Sequence, residues 1–254
     1  MKKITFVLFL FMLLGEQIMG AVKITTVFDN TSLNPNCTPE WGFAAVLELP
    51  KETILFDTGN DGQILLDNLT ALGFGETTFS TVVISHMHWD HTGGLTRVIQ
   101  ANPEAVVYLP GTAQEVEKFK KVVLVKAPQQ IADAVFTLGE MPGPANEQSI
   151  AIRTTDGLVI ITGCAHPGIV DIVKAGREQF PDDSLHLVMG GFHLNRHSKK
   201  QVLDIISTFK ALGVQYVSPT HCTGENAISL FKQEYAEKFI TPGVGLSLEF
   251  SLLE

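Results

Sequence analysis

Apolar residues fall along this chain in short β-branched runs, separated by turn residues and by stretches with helical spacing. The runs are Lys23 to Phe28, Phe43 to Leu49, Thr53 to Phe56, Thr81 to Ser85, Ala105 to Leu109, Val122 to Val125, Ser149 to Thr154, Leu158 to Thr162, His186 to Met189 and Gln215 to Ser218. Runs this short and this rich in Val, Ile and Thr predict strands. Asp156-Gly157 stands between two of them, and because that dipeptide accepts positive φ it predicts a two-residue type I′ hairpin. Apolar residues near helical spacing predict helices over Gln63 to Leu72, Leu95 to Ala101, Gly168 to Phe180, Lys199 to Leu212 and Glu225 to Tyr235. Strands alternating with helices, with a hairpin among them, imply sheets covered by helices on the outside.

The first 20 residues read differently. Lys2 and Lys3 precede an uncharged run from Ile4 to Leu14, with small residues at Gly15, Gly20 and Ala21. This pattern predicts a signal peptide over residues 1–20 and a mature chain exported to the periplasm or beyond. The run falls short of the roughly twenty residues a spanning helix requires. Retention of the segment as an uncleaved anchor is the one membrane association the sequence suggests. Residues 21–254 carry no low-complexity linker and no repeat of fixed period, so they predict a single domain.

Composition narrows the partners. With 45% hydrophobic and 18% charged residues the chain can bury a large core. A net charge of −9 without a basic cluster argues against nucleic acid and leaves a small molecule as the expected partner, with the oligomeric state open. Three cysteines, Cys37, Cys164 and Cys222, are too few for a stapled scaffold.

The chemistry gathers where strands end. Thr81 to Ser85 runs into His86, Met87, His88, Trp89, Asp90, His91, Thr92, Gly93 and Gly94. Two histidines one residue apart can aim at one ion, while Asp90 and His91, further round the turn, can reach a second ion or the water between them. Gly93 and Gly94 let the backbone turn tightly into the next helix. Burying so many polar heads without a cation would be costly.

His86-Met87-His88-Trp89-Asp90-His91 resembles the H-x-H-x-D-H signature of the metallo-β-lactamase superfamily, and Leu55-Phe56-Asp57-Thr58-Gly59 resembles its other early motif. Three later segments are similar to the subgroup of 7,8-dihydropterin-6-yl-methyl-4-(β-D-ribofuranosyl)aminobenzene 5′-phosphate synthase-like proteins. They are Thr162 to Ile169, Gly190 to Leu194 and Pro219 to Gly224. The resemblance implies a four-layer αββα sandwich with a two-metal site in the cleft between the sheets' loops. It implies two divalent ions, zinc first with manganese or iron as alternatives. His86, His88 and a third histidine would hold one ion, and Asp90, His91 and His221 the other. The sequence departs from the family twice. Glu147 and Gln148 stand where the third histidine is usual, which makes His166 its natural substitute, and Gly163-Cys164 stands where glycine and a bridging aspartate are usual.

Cys164 is then either a thiolate ligand or a small buried residue behind the site. Cys222 could approach it if both loops rim one cleft, and an oxidising compartment would allow a disulfide there. Cys37, among Asn34, Pro35 and Pro39, reads as a thiol in a mobile surface loop. Asp57 either caps the following helix or accepts the spare N–H of a ligating histidine. His193 reads as a substrate-facing or proton-carrying residue, and Asp90 as a second proton carrier. Trp89 and Phe192 either floor a pocket or simply pack. His186 and His197 are given no role.

The expected activity is hydrolysis of an ester, lactone, thioester, amide or phosphoester by metal-bound hydroxide. Two alternatives stand beside it: a pterin-related synthase or transferase, as in the resembling subgroup, and a metal- or ligand-binding module without turnover. Redox di-iron chemistry fits less well, since His88 stands where oxygen-reducing relatives tend to carry glutamate.

Overall fold

The computed structural model describes residues 18–114 and 116–253. The predicted signal segment lies outside them except for residues 18–20, which open the first strand.

Six strands form the first sheet: β1 (Ile18–Phe28), β2 (Ala44–Glu48), β3 (Thr53–Phe56), β4 (Thr81–Val83), β5 (Val106–Pro110) and β6 (Val122–Val125). β1 to β3 pair antiparallel, and β3 to β6 continue parallel. The second sheet repeats this plan with β7 (Gln129–Ala132), β8 (Val135–Met141), β9 (Glu147–Thr154), β10 (Gly157–Thr162), β11 (Leu185–Gly191) and β12 (Tyr216–Thr220). β7 to β10 are antiparallel, and β10 to β12 parallel. The last strand, β13 (Ser247–Leu253), pairs along β1 and touches β9 at Leu252 and Thr154, which joins the sheets at one edge.

Parallel neighbours need long crossovers, and helices supply them. In the first half these are α1 (Gly62–Ala71), the single turn α2 (Trp89–Thr92) and α3 (Leu95–Ala101). In the second they are α4 (Ile169–Gln179), α5 (Lys199–Leu212) and α6 (Glu225–Tyr235), which follows β12. The core is accordingly in three slabs. Ile24, Leu47, Phe56, Ile150, Ile161 and Met189 interdigitate between the sheets. Leu65, Leu69 and Val98 seal α1 and α3 onto the outside of the first sheet, and Ile172, Ile206, Phe209 and Phe231 seal α4 to α6 onto the second. This is the αββα sandwich. No helix among the described residues is long and apolar enough to cross a membrane.

Every predicted strand and helix is present, and three strands are added. β7 and β8 escape the apolar pattern because Gln129, Gln130, Gly139 and Glu140 interrupt it. β13 alternates Leu248, Phe250 and Leu252 with polar residues, a period of two that was legible. The hairpin also shifts by one residue. Thr154 pairs with Gly157, so the loop is Thr155-Asp156, and the positive φ, 122°, belongs to Gly157 in the strand rather than to a type I′ turn. Cys37 is a further correction: it is 7% exposed and free, packed in rather than presented on a surface loop.

Candidate metal centre

The loops leaving the carboxyl ends of β3, β4, β10, β11 and β12 converge on one cleft. This is where an open α/β sheet presents its side chains to ligands. After β3, Asp57 adopts φ 58° and is fully buried. Its Oδ1 accepts the Ser85 N–H at 2.7 Å, and its Oδ2 accepts the Ser85 hydroxyl at 2.7 Å and lies 2.7 Å from His91 Nδ1. Helix α1 is capped by Asp61, which accepts from Gln63 and Ile64, so Asp57 is not a cap. An imidazole that donates Nδ1–H to a carboxylate is fixed in orientation and turns its Nε2 lone pair outward. In His91 that nitrogen lies 3.2 Å from Cys164 Sγ. Burial alone would push the His91 pKa down, but the Asp57 carboxylate reverses the shift and raises it. The Thr58 N–H and hydroxyl donate to the His91 carbonyl at 2.9 and 2.8 Å, clamping the two early motifs together. Gly93 is required here: a Cβ would lie 2.0 Å from the Asn60 carbonyl oxygen.

His86, fully buried, sets Nδ1 3.0 Å from the Ser85 hydroxyl. Burial, then the imidazoles of His91, His166, His88 and His221, hold it far below the usual histidine range, so it is neutral. His166 supplies the third imidazole, its ring 4.7 Å from that of His86 and 4.8 Å from that of His88. Burial, with His193 and His88 next, lowers its pKa to about 4. On the other side Asp90 Oδ2 accepts the Trp41 indole N–H at 2.8 Å and lies 3.2 Å from His221 Nε2. Burial raises the Asp90 pKa, yet His221 and His91 outweigh it and keep the carboxylate ionised. His221 is held from behind by Asn30 Oδ1, 3.0 Å from its Nδ1.

These side chains can hold cations. Donor atoms of Asp90, His91, Cys164 and His221 lie within 4.8 Å of one another, as do those of His86, Cys164 and His166 and those of His86, His88 and Asp90. Four of the imidazole nitrogens, His86 Nε2, both of His166 and His221 Nε2, are buried without a hydrogen-bond partner. Each orphan costs on the order of 1–3 kcal/mol. Convergent lone pairs beside an ionised carboxylate offset that only with a positive charge among them, and a His/Asp/Cys donor set suits zinc.

A buried carboxylate organises the later loop. Glu147 Oε1 accepts the N–H groups of Gly163, Cys164 and Ala165 at 3.1, 2.9 and 2.9 Å, and Oε2 accepts that of His166 at 2.8 Å. Burial pushes its pKa up to about 7 against the pull of those N–H groups. All four of these partners are donors, so the loop is built for the ionised form. The sequence showed this residue only as a missing histidine. The one signal available was a glutamate at the head of a strand buried almost throughout.

Both later cysteines are free and buried, with Cys222 Sγ 3.5 Å from the Cys164 carbonyl oxygen, so the two loops do rim one cleft. Cys222, although buried, is held low by hydrogen bonds with Cys164 and His193. Hydrogen bonding to Cys222 and burial raise Cys164 in turn. His193, at φ 54°, is solvent-exposed, with its ring 4.3 Å from that of His166. Trp89 is 62% exposed, whereas Phe192 is buried and packs on Phe209 and Phe231. Trp41, Asn30 and Ser85 were missed, because a single aromatic, amide or hydroxyl side chain carries no spacing signal. A cavity of about 690 Å³ adjoins the cleft at Asn30, Trp41 and His221 and extends to Lys232 and Phe239.

The family model of the metallo-β-lactamase superfamily matches residues 38–221. The chain belongs to that superfamily. The 7,8-dihydropterin-6-methyl-4-(β-D-ribofuranosyl)-aminobenzene-5′-phosphate synthase of Methanocaldococcus jannaschii is 27% identical, over 94% of this chain and 100% of its own. The solved structure of Tm1679, a metal-dependent hydrolase of the β-lactamase superfamily, is 30% identical with a TM-score of 0.76, over 91% of this chain and 99% of the other. YhfI of Bacillus subtilis shares the fold at 15% identity and a TM-score of 0.65, over 90% and 99% of the two chains.

Proposed function

We propose that this superfamily member is an exported metal-dependent hydrolase acting on a small ester, lactone, thioester, amide or phosphoester. His86, His88 and His166 would hold one divalent ion and Asp90, His91 and His221 the other, with the Cys164 thiol within reach of both donor groups. The observation that carries this reading is the set of orphaned imidazole nitrogens on His86, His166 and His221, gathered round Asp90, His91 and Cys164. What zinc-type cations supply when bound is a water acidified toward neutrality and a polarised carbonyl or phosphoryl oxygen.

The protein's own groups do the rest. Asp57 fixes the His91 ring, Asn30 fixes His221, and Glu147 holds the loop that carries Cys164 and His166. Trp41 anchors Asp90 through Oδ2. The adjoining cavity has the volume of a small-molecule site, and its lining sets one lysine, Lys232, and one carboxylate, Glu225, among apolar and hydroxyl side chains. The lysine-led apolar segment at residues 2–14 supports export.

A second reading is favoured by the 27% identity to the M. jannaschii synthase over its whole length: bond formation on a pterin-like substrate. One experiment separates the two. Metal-loaded protein is assayed against nitrophenyl esters, lactones and phosphodiesters, with His88→Ala in parallel. Hydrolysis lost on chelation and in the variant supports the hydrolase. Stoichiometric metal without turnover of any panel member refutes it and leaves the synthase or a metal-binding module without turnover.

A further inference from the structure

We propose a third cation position beside these two, held by Cys222 Sγ, a ring nitrogen of His193 and the shared Cys164 Sγ. It depends on the metal-centre reading only through Cys164. The three donor atoms lie within 4.8 Å of one another. With metal–sulfur bonds near 2.3 Å and metal–nitrogen bonds near 2.0–2.1 Å, a tetrahedral zinc separates its ligand atoms by about 3.5–3.8 Å. The cluster is therefore at most about 1.0–1.3 Å looser than a filled site. Two cysteines and one histidine with the fourth position open is a donor set that catalytic zinc uses. His193 is the donor on the solvent side of the cluster, and it lines a cavity of about 420 Å³ together with His166, Pro144 and Leu194.

The surrounding chain is shaped to bring the sulfurs together. A Cβ on Gly191 would lie 2.7 Å from Cys222 Sγ and 2.4 Å from the Gly163 carbonyl oxygen, so the thiol fits only because that residue is glycine. The Phe192 N–H donates to Thr223 Oγ1 at 2.9 Å, tying the His193 loop to the Cys222 loop. His193 itself sits in the left-handed region at φ 54°, a conformation that persists only where its surroundings hold it. Cys222 and Cys164 are 3% and 2% exposed, so an ion there would be screened from solvent on the thiol side. Two sulfurs select zinc, cadmium or cobalt over magnesium and manganese, unlike a site of carboxylate and imidazole alone. His193 is then a metal donor rather than the proton carrier the sequence suggests.

The test uses full-length protein, reduced and handled without oxygen, titrated with zinc and separately with cobalt. Metal content is measured after gel filtration, and cobalt binding is followed by the sulfur-to-cobalt charge-transfer band. The wild type is expected to take up a third equivalent. Cys222→Ser and His193→Ala should each lose one equivalent, with a weaker band in Cys222→Ser, while the other two remain bound and report an intact fold. Manganese should leave the third position empty. A wild type that saturates at two equivalents, or a Cys222→Ser variant that keeps all three, overturns this proposal and leaves the two-ion centre standing. A wild type that binds no metal overturns both.

Discussion

Replacing Glu147 by glutamine tests how the later loop is built, because the two side chains share a shape and differ in charge. In the native protein the carboxylate takes four backbone N–H donors, three on Oε1 and one on Oε2. The amide can keep the first three as neutral acceptor bonds, each weaker by about 1 kcal/mol than a charge-assisted one. Its NH₂ group must then face the His166 N–H, so the fourth bond is replaced by two opposed donors, a further loss of about 1–3 kcal/mol. Relief of the buried charge returns part of this, since desolvation is what pushes the native pKa up to about 7. The net expectation is a loss of about 2–4 kcal/mol in Glu147→Gln. Urea unfolding at pH 8 reads it directly, as a lower midpoint with an unchanged slope. A displaced His166 should also weaken zinc binding about 10–100-fold in competition with a chromophoric chelator. A variant as stable as the wild type, with the same zinc affinity, would refute the claim that this carboxylate shapes the cleft.

Three further outcomes follow from the same geometry. Asp57→Asn should leave the fold intact and weaken metal binding about 10–100-fold, because the His91 ring loses the carboxylate that orients it; calorimetric titration with zinc measures this. Gly93→Ala places a methyl group 2.0 Å from the Asn60 carbonyl oxygen and should destabilise the chain by at least about 1–3 kcal/mol, read from the urea midpoint. Stripping with a chelator should lower the melting temperature, and restoring zinc at about 100 times its Kd should return about 2.7 kcal/mol for each ion bound. No thermal shift on either step would count against metal binding to the folded state.

The fold was legible wherever packing follows a simple period. The buried strands β3, β4 and β10 read as short apolar runs, and α5 carried both its periodicity and its Ser198 to Gln201 capping box. Strands β7 and β8 were hidden because Gln129, Gln130 and Glu140 on their more open faces, and the buried Gly139, break the apolar run. The cleft divides along similar lines. His86, His88, Asp90 and His91 crowd into six residues, so the cluster announces itself at short range. Glu147, Trp41 and Asn30 act across the fold, at sequence separations of 16 to 191 from the groups they hold, and no local pattern records such a contact. Cys37 was misplaced because Asn and Pro neighbours mark a turn without saying whether the turn lies against the core.

The most direct measurement of the central claim is an anomalous difference map, collected at the zinc edge from crystals grown with zinc. One peak is expected against His86, His88 and His166, and another against Asp90, His91 and His221. Rings of His86, His166 and His221 without density between them would contradict the account.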